Sequence, residues 1–254
     1  MTDTFKKRLL AKELLIGTVV TLPTAEVGEI LAELGFDWLW IDMEHAPFTI
    51  RDIQCLVQAT EGRCPCIVRA PAGEEVWIKK ILDTGAAGVM IPHVNTPDQA
   101  RRVLSWCKYP PQGTRSVGIA RAHGYGLAFQ DYVDTANQNV TVVLQIEDIE
   151  AVKNIESIVR VEGVDALLMG PYDLSGSMGK IGRVTDPAVM GEIEKFRAAC
   201  MEADLPMGVF GIDAEAVKPY IDKGFTLVAA GVDTMYLIQG AQKGLKEIRK
   251  HIKS

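Results

Sequence analysis

Gly163-Val164-Asp165-Ala166-Leu167-Leu168-Met169 decides how the chain is to be read. A glycine leads through turn-forming residues into an apolar burst of strand length, and it follows Ala151–Val161, where Val and Ile recur at helix-like spacing among charges. Such a glycine is the left-handed residue that ends a helix. The same unit recurs at Gly35–Ile41, Gly85–Ile91 and Gly224–Ala229, behind the helical patterns Ala25–Leu34, Glu74–Thr84 and Ala214–Lys223. Leu14–Val20, Cys66–Arg69, Thr141–Ile146 and Met207–Phe210 bring the count to eight candidate strands. Strands apolar on both faces suit a parallel sheet covered by helices, and eight of them suit a closed (β/α)8 barrel. An open doubly wound sheet is the alternative. It loses ground because Thr18-Val19-Val20-Thr21-Leu22-Pro23 stands where a G-x-G-x-x-G turn would follow the first strand. No linker or composition shift marks a second domain, so residues 1–254 are expected to form one barrel. The one long irregular stretch, Tyr109 to Tyr125, is rich in Gly and Pro, and a loop of that length in a compact domain is usually functional or mobile.

The composition agrees with a soluble globular chain. At 48% hydrophobic and 24% charged residues the 254-residue chain is too apolar for intrinsic disorder. Its 33 acidic and 27 basic side chains leave a net charge of −6, which argues against a nucleic-acid or anionic-lipid surface. Met1–Lys12 lacks the apolar core of a signal peptide, and no apolar run approaches the ~18–20 residues of a membrane helix. The five cysteines are odd in number, and Cys64 and Cys66 form C-x-C rather than a metal-type C-x-x-C. Free thiols in a cytoplasmic protein are the expectation.

Barrel enzymes place their chemistry on the loops after the strands. Here the strands end in Asp42-Met43-Glu44-His45, Arg69, Pro92-His93, Gln145-Ile146-Glu147 and Gly170-Pro171-Tyr172-Asp173, while the turns before them hold mainly Gly. Glu147 and Asp173 end adjacent strands and can share one cation; two carboxylates with open positions describe Mg²⁺ or Mn²⁺ better than Zn²⁺. Two helix N-caps are the bland reading of the same pair. Gln145 points to the same side as Glu147 by the two-residue strand period. Arg69 would be costly to bury without an anion. Its partner is either a protein carboxylate, Glu147 or Glu44, or a ligand oxygen gripped by two parallel hydrogen bonds. His45, flanked by carboxylates at the head of a loop, is the candidate for proton transfer, with a turn-capping role as the alternative. His93 and His123 carry weaker claims, as pocket lining or structural groups. None of the eight strands contains a Lys, which disfavours an imine-forming aldolase mechanism.

Taken together, Gly35-Phe36-Asp37-Trp38 through Ile41-Asp42-Met43-Glu44-His45-Ala46-Pro47, Val68-Arg69, Gly88–Pro92, Tyr109-Pro110-Pro111, Gln145-Ile146-Glu147 and Gly170–Ser175 resemble the HpcH/HpaI family of metal-dependent class II pyruvate aldolases. The resemblance implies a trimer or hexamer of (β/α)8 barrels, the last helix swapped to a neighbour. It implies Glu147 and Asp173 as ligands of Mg²⁺, Mn²⁺ or Co²⁺, His45 as general base, Arg69 as enolate stabiliser, and Gln145 with the backbone of Tyr172 and Asp173 as contacts to a 2-oxo acid. It also assigns a carboxylate in a motif like Leu82-Asp83-x-Gly85 to tuning the base. By position Asp83 ends a helix at the far end of its own barrel, so a neighbouring subunit would have to supply it, whereas Asp42 is near at hand. Tyr172 departs from the small residue of many relatives, and Gln112 and Ser116 interrupt the basic, Gly-rich form of the long loop. The expected reaction is reversible cleavage of a 4-hydroxy-2-oxo acid to pyruvate and an aldehyde. A citrate lyase β-like enzyme acting on acyl-CoA esters and a non-catalytic 2-oxo-acid-binding barrel are the alternatives; the first wants a basic groove this acidic chain lacks, the second would lose the base or the carboxylate pair.

Overall fold

The computed structural model describes residues 4–252; residues 1–3, where the N-terminal segment begins, and 253–254 lie outside it. Eight parallel strands close on themselves in chain order: β1 Leu15–Val20, β2 Trp38–Asp42, β3 Cys66–Arg69, β4 Gly88–Ile91, β5 Thr141–Ile146, β6 Ala166–Met169, β7 Met207–Gly211 and β8 Leu227–Val232. This is the single (β/α)8 barrel expected. The four repeat glycines, Gly35, Gly85, Gly163 and Gly224, all hold φ between 84° and 94°. A side chain there would be strained, so each glycine is the hinge that turns a helix end into the next strand.

Helices α1 Phe5–Leu10, α2 Ala25–Glu33, α3 Ile50–Thr60, α4 Glu75–Asp83, α5 Pro97–Cys107 and α6 Phe129–Asn139 come from the first half of the chain. Helices α7 Ile149–Lys153, α8 Ile155–Ile158, α9 Pro171–Ser177, α10 Pro187–Glu202, α11 Ala214–Ile221 and α12 Asp233–Ile252 follow. Thr24, Thr49 and Thr96 cap α2, α3 and α5 by accepting backbone N–H bonds, so polar caps set where the helices begin. The periodic stretch Ala151–Val161 is not one helix. Asn154 leaves the helical region and donates its side-chain amide to the Asn95 carbonyl 2.9 Å away, which divides α7 from α8.

Two apolar cores follow. One fills the space between strands and helices; the other, built on Phe5, Leu15, Trp38, Trp40, Ile67, Met90, Val143 and Leu168, fills the barrel. α1 closes the N-terminal end, with Phe5 6.2 Å from the Trp38 ring and Trp38 stacked 6.4 Å from Trp40. Gly17 makes room for this stack, because a Cβ there would lie 2.5 Å from the Trp38 indole nitrogen. The interior is therefore packed up to Trp40, which becomes the floor of whatever lies at the C-terminal mouth.

The long stretch after α5 runs extended and then forms a short 3-10 turn at Arg121–Gly126. Buried His123 ties it down: Nδ1 accepts from the Gly126 N–H at 3.0 Å, and Nε2 lies 2.7 Å from the Gly118 carbonyl. His123 is thus structural. All five cysteines are free thiols, four of them buried. Desolvation pushes Cys64, Cys107 and Cys200 up to about 12 and Cys66 to about 11, so none of these four buried thiols is a ready thiolate. Among the described residues no helix is long and apolar enough to cross a membrane.

Candidate active site

Strand register brings the polar residues together. Asp42 on β2 pairs directly with Arg69 on β3, and Ile146 on β5 with Met169 on β6, so Glu147 and Gly170 emerge side by side at the same rim. Arg69 lies over the Trp40 ring, its guanidinium carbon 4.8 Å from the centroid. Its Nε and Nη2 donate to Asp42 Oδ1 and Oδ2 at 2.9 and 2.7 Å, a bidentate grip on a buried carboxylate. Nη1 lies 2.9 Å from Glu44 Oε2 and donates weakly to Gln145 Oε1 at 3.4 Å. Glu147 is not a partner of Arg69. The two-pronged fork expected for a ligand is spent on Asp42, and a ligand oxygen at Nη1 would share it with Glu44 and Gln145.

Glu44 is more central than its place in the Asp42–His45 run suggests. Its Oε2 accepts no hydrogen bond, since the Arg69 N–H is not aimed along the 2.9 Å contact, and its Oε1 lies 3.1 Å from His93 Nε2. His93 has the positive φ of 55° that non-glycine residues rarely adopt. That backbone aims both its N–H, 2.9 Å from Glu147 Oε1, and its ring Nδ1, 3.1 Å from the same oxygen, at one carboxylate. His93 thereby bridges Glu44 and Glu147. Sequence reading ranked it as pocket lining, and only its place directly after β4 pointed to more. Gln145 completes the chain by donating to Glu147 Oε2.

Neither carboxylate of the candidate metal pair is an N-cap. Asp148, not Glu147, caps α7, and α9 starts without a side-chain cap, with Asp173 in its first turn. Glu147 is buried, and burial raises its pKa, aided by Glu44 and Asp173 and opposed by the His93 N–H and ring. A buried, crowded carboxylate such as Glu147 is relieved by a cation or a proton, and Asp173 beside it is exposed. Two hard oxygen donors beside a neutral amide, with Gly170 leaving room where a Cβ would lie 2.8 Å from the Glu147 Cβ, fit a Mg²⁺- or Mn²⁺-class ion. Among the described residues no group of three or more His, Cys, Asp or Glu side chains is placed to hold a metal ion.

His45 is exposed, its Nε2 3.8 Å from Glu44 Oε2. Asp42 reaches it through the backbone, accepting the His45 N–H at 3.3 Å, and so positions the loop rather than the ring. Asp83 is not in the site of its own chain. It ends α4 at the opposite end of the barrel, 2.8 Å from buried Arg115 Nη2.

A cavity of about 360 Å³ opens above Trp40, lined by Asp42, His45, Arg69, Gln145, Gly170 and Asp173, and further by Val19, Thr21, Tyr172, Phe210, Ile212 and Val232. Asp233, the buried first residue of α12, holds the rim after β1. Its carboxylate accepts from the Thr21 and Leu22 N–H groups at 2.8 Å and from the Thr21 hydroxyl at 2.6 Å.

With this geometry in hand, comparison with known proteins is informative. The sequence profile of the HpcH/HpaI aldolase/citrate lyase family matches residues 16–240. The chain belongs to that family. It is similar to the 4-hydroxy-2-oxovalerate aldolase of Novosphingobium aromaticivorans, 36% identical over 98% of this chain and 96% of the relative. It is likewise 39% identical to the hydroxypyruvate/pyruvate aldolase of Cupriavidus necator, over 94% and 90% of the two chains. A crystal structure of an HpcH/HpaI aldolase/citrate lyase family protein from Burkholderia cenocepacia superposes with a TM-score of 0.92 at 35% identity, covering 96% of this chain and 98% of that one. This HpcH/HpaI protein is accordingly an enzyme of the carbon–carbon lyase class, with the aldolase fold built from β1 to β8. No lysine lies on the eight strands or among the residues lining the cavity.

Proposed function

We propose that the protein cleaves a 4-hydroxy-2-oxo acid reversibly to pyruvate and an aldehyde, with a divalent cation held by Glu147 and Asp173. The observation that carries the reading is the chain of contacts Asp42–Arg69–Gln145–Glu147–His93–Glu44 at the cavity mouth, in which one buried guanidinium serves two carboxylates, Asp42 and Glu44, and exposed His93 links Glu44 to Glu147. When bound, Mg²⁺ or Mn²⁺, with Co²⁺ a third candidate, supplies the positive charge that favours an enolate over the 2-oxo acid. Arg69, held in place by Asp42 and Trp40, would turn Nη1, now 2.9 Å from Glu44 Oε2, to the same developing oxygen. Gln145 and the backbone at Tyr172 and Asp173 orient the carboxylate and keto group. His45 takes the proton of the 4-hydroxyl as the C3–C4 bond breaks, the bonding electrons passing to the enolate, which is then protonated at C3.

A second copy completes the assignment. Asp83 can act on His45 only from a neighbouring subunit, and α12 supports such an assembly: among its residues Asp233 is buried, while Leu237, Ile238, Leu245 and Ile248 are exposed. A trimer or hexamer with α12 exchanged between subunits, working in the cytoplasm, fits these features. The test is pyruvate release from 4-hydroxy-2-oxo acids of varied tail, before and after EDTA and with Mg²⁺, Mn²⁺ or Co²⁺ restored. Full turnover in EDTA, or a pyruvate adduct trapped by borohydride, would sink the reading.

A further inference from the structure

The carboxylate of Asp233 does more than begin α12. Resting on the function proposed above, we infer that Asp233 is a positioning residue for carbon–carbon cleavage, fixing the rim after β1 beside the loop that carries His45. Asp233 is 6% exposed, and its four hydrogen bonds lie within its own chain, so no neighbouring subunit is needed to form them. Oδ2 accepts the Thr21 and Leu22 N–H groups, and Oδ1 accepts the Thr21 hydroxyl and the Thr234 N–H. Four donors fill the lone-pair sites of one carboxylate. A capping side chain accepts from an N–H two or three residues further along its own helix, whereas three of these four donors come from residues 21 and 22.

Barrel closure explains the reach. β8 pairs with β1 through Val232 and Val19, and β1 with β2 through Val20 and Ile41, so Asp233 comes beside the end of β1 and Thr21 beside Asp42. Asp42 in turn accepts the Glu44 and His45 N–H groups, and Thr21 and His45 share the cavity wall. The fastening has a rigid base. Tyr236 Oη donates to the Ala230 carbonyl at 2.5 Å and lies 3.1 Å from Thr18 Oγ1, which donates to the Gly231 carbonyl at 3.1 Å. Gly231 holds a φ of 76°, and a Cβ there would collide with the Tyr236 hydroxyl. A buried carboxylate saturated in this way specifies one backbone arrangement, and misplacing a reacting geometry by ~1 Å can cost about 10²-fold in rate. The groups proposed to hold the enolate, Arg69, Gln145, Glu147 and Asp173, stand on or after β3, β5 and β6, outside this fastening.

The test compares two rates in the metal-loaded enzyme: pyruvate release from the best 4-hydroxy-2-oxo acid of the screen above, and exchange of pyruvate methyl protons with heavy water followed by NMR. Exchange needs the enolate groups, whereas cleavage also needs His45 placed at the 4-hydroxyl. Asp233→Ala should lower cleavage about 10²-fold per folded molecule and leave exchange near the parental rate. Asp233→Asn keeps one oxygen for the Thr21 and Leu22 N–H groups and should recover most of that loss while staying below the parent. Being close in shape, it carries the test if the Ala variant does not fold. Amide hydrogen exchange without metal, read by mass spectrometry, should show Thr21 and Leu22 opening in both variants, more so in Ala, with β5 and β6 unchanged. A cleavage-to-exchange ratio unchanged in every variant that folds overturns the inference, as does an equal loss of both rates. A metal-loaded parent that neither exchanges nor cleaves removes instead the aldolase reading beneath it.

Discussion

The two ends of the barrel hold similar side chains to opposite effect. At the N-terminal end Lys6 Nζ lies 2.8 Å from Asp165, whose other oxygen accepts the Val142 N–H, and Lys108 donates to the Asn137 and Val140 carbonyls. Arg115 pairs with Asp83, and Arg8 with Asp37 and Glu13. A hollow of about 720 Å³ opens there, twice the volume at the mouth, yet its Arg8 and Arg63 are matched by carboxylates. At the mouth Asp42, Glu44, Glu147 and Asp173 gather around Arg69 and two histidines. Buried charge is common to both ends, and excess of one sign is what distinguishes the site. Size of the opening does not.

The contrast is sharpest where one carboxylate is removed from each end. Glu147→Gln should cut pyruvate release on the order of 10³-fold, while the melting temperature in EDTA stays equal or rises, because a crowded buried charge is gone. Asp165→Ala should do the reverse. Leaving Lys6 unpaired beside Lys108 should cost about 3–5 kcal/mol by denaturant titration, with kcat per folded molecule unchanged. A stability loss for Glu147→Gln equal to that of Asp165→Ala would erase the distinction.

A smaller effect tests how Arg69 is used. Arg69→Lys keeps the charge and loses the grip on Asp42, so kcat should fall about 10²-fold with little change in stability. If KM alone moved, Arg69 would bind ground state and transition state alike.

The last effect is a titration at the other end. Desolvation, aided by Lys6, lowers Lys108 from its usual 10.5 to about 8. The unfolded chain then holds more protons than the folded one between pH 8 and 10.5, so this group makes stability rise with pH across that window and adds no slope below it. Lys108→Met should remove that rise, about 3 kcal/mol at most, from the difference between variant and parent curves. Parallel curves would mean that Lys108 titrates normally.

Much of the barrel was legible because its signals are local. Gly85 or Gly163 after a helical period, then a burst of Val, Leu and Met, needs no distant partner to be recognised. The division at Asn154 was not legible, since it turns on a bond to Asn95, 59 residues away. In the site, Glu147, Asp173 and Arg69 stood out as charges at the ends of apolar strands. His93 did not, because its importance lies in a positive φ that aims N–H and ring at Glu147, and no residue type announces that.

The sequence by itself determined the fold class, the end of the barrel that carries the chemistry, and the roster of ionisable groups there, because strand period, helix-ending glycines and strand-terminal residues are properties of neighbouring positions. Only the tertiary structure decided who pairs with whom. Arg69 had Glu147 or Glu44 as candidate partners; it pairs with Glu44 and not Glu147, and the β2–β3 register adds Asp42, which takes the bidentate grip. Asp83 was separated from His45 by the length of a barrel, and Thr21 was bound to Asp233 from the other end of the chain. Such partnerships depend on register and closure, which bring residues together across the whole sequence and are set by packing rather than by any local pattern.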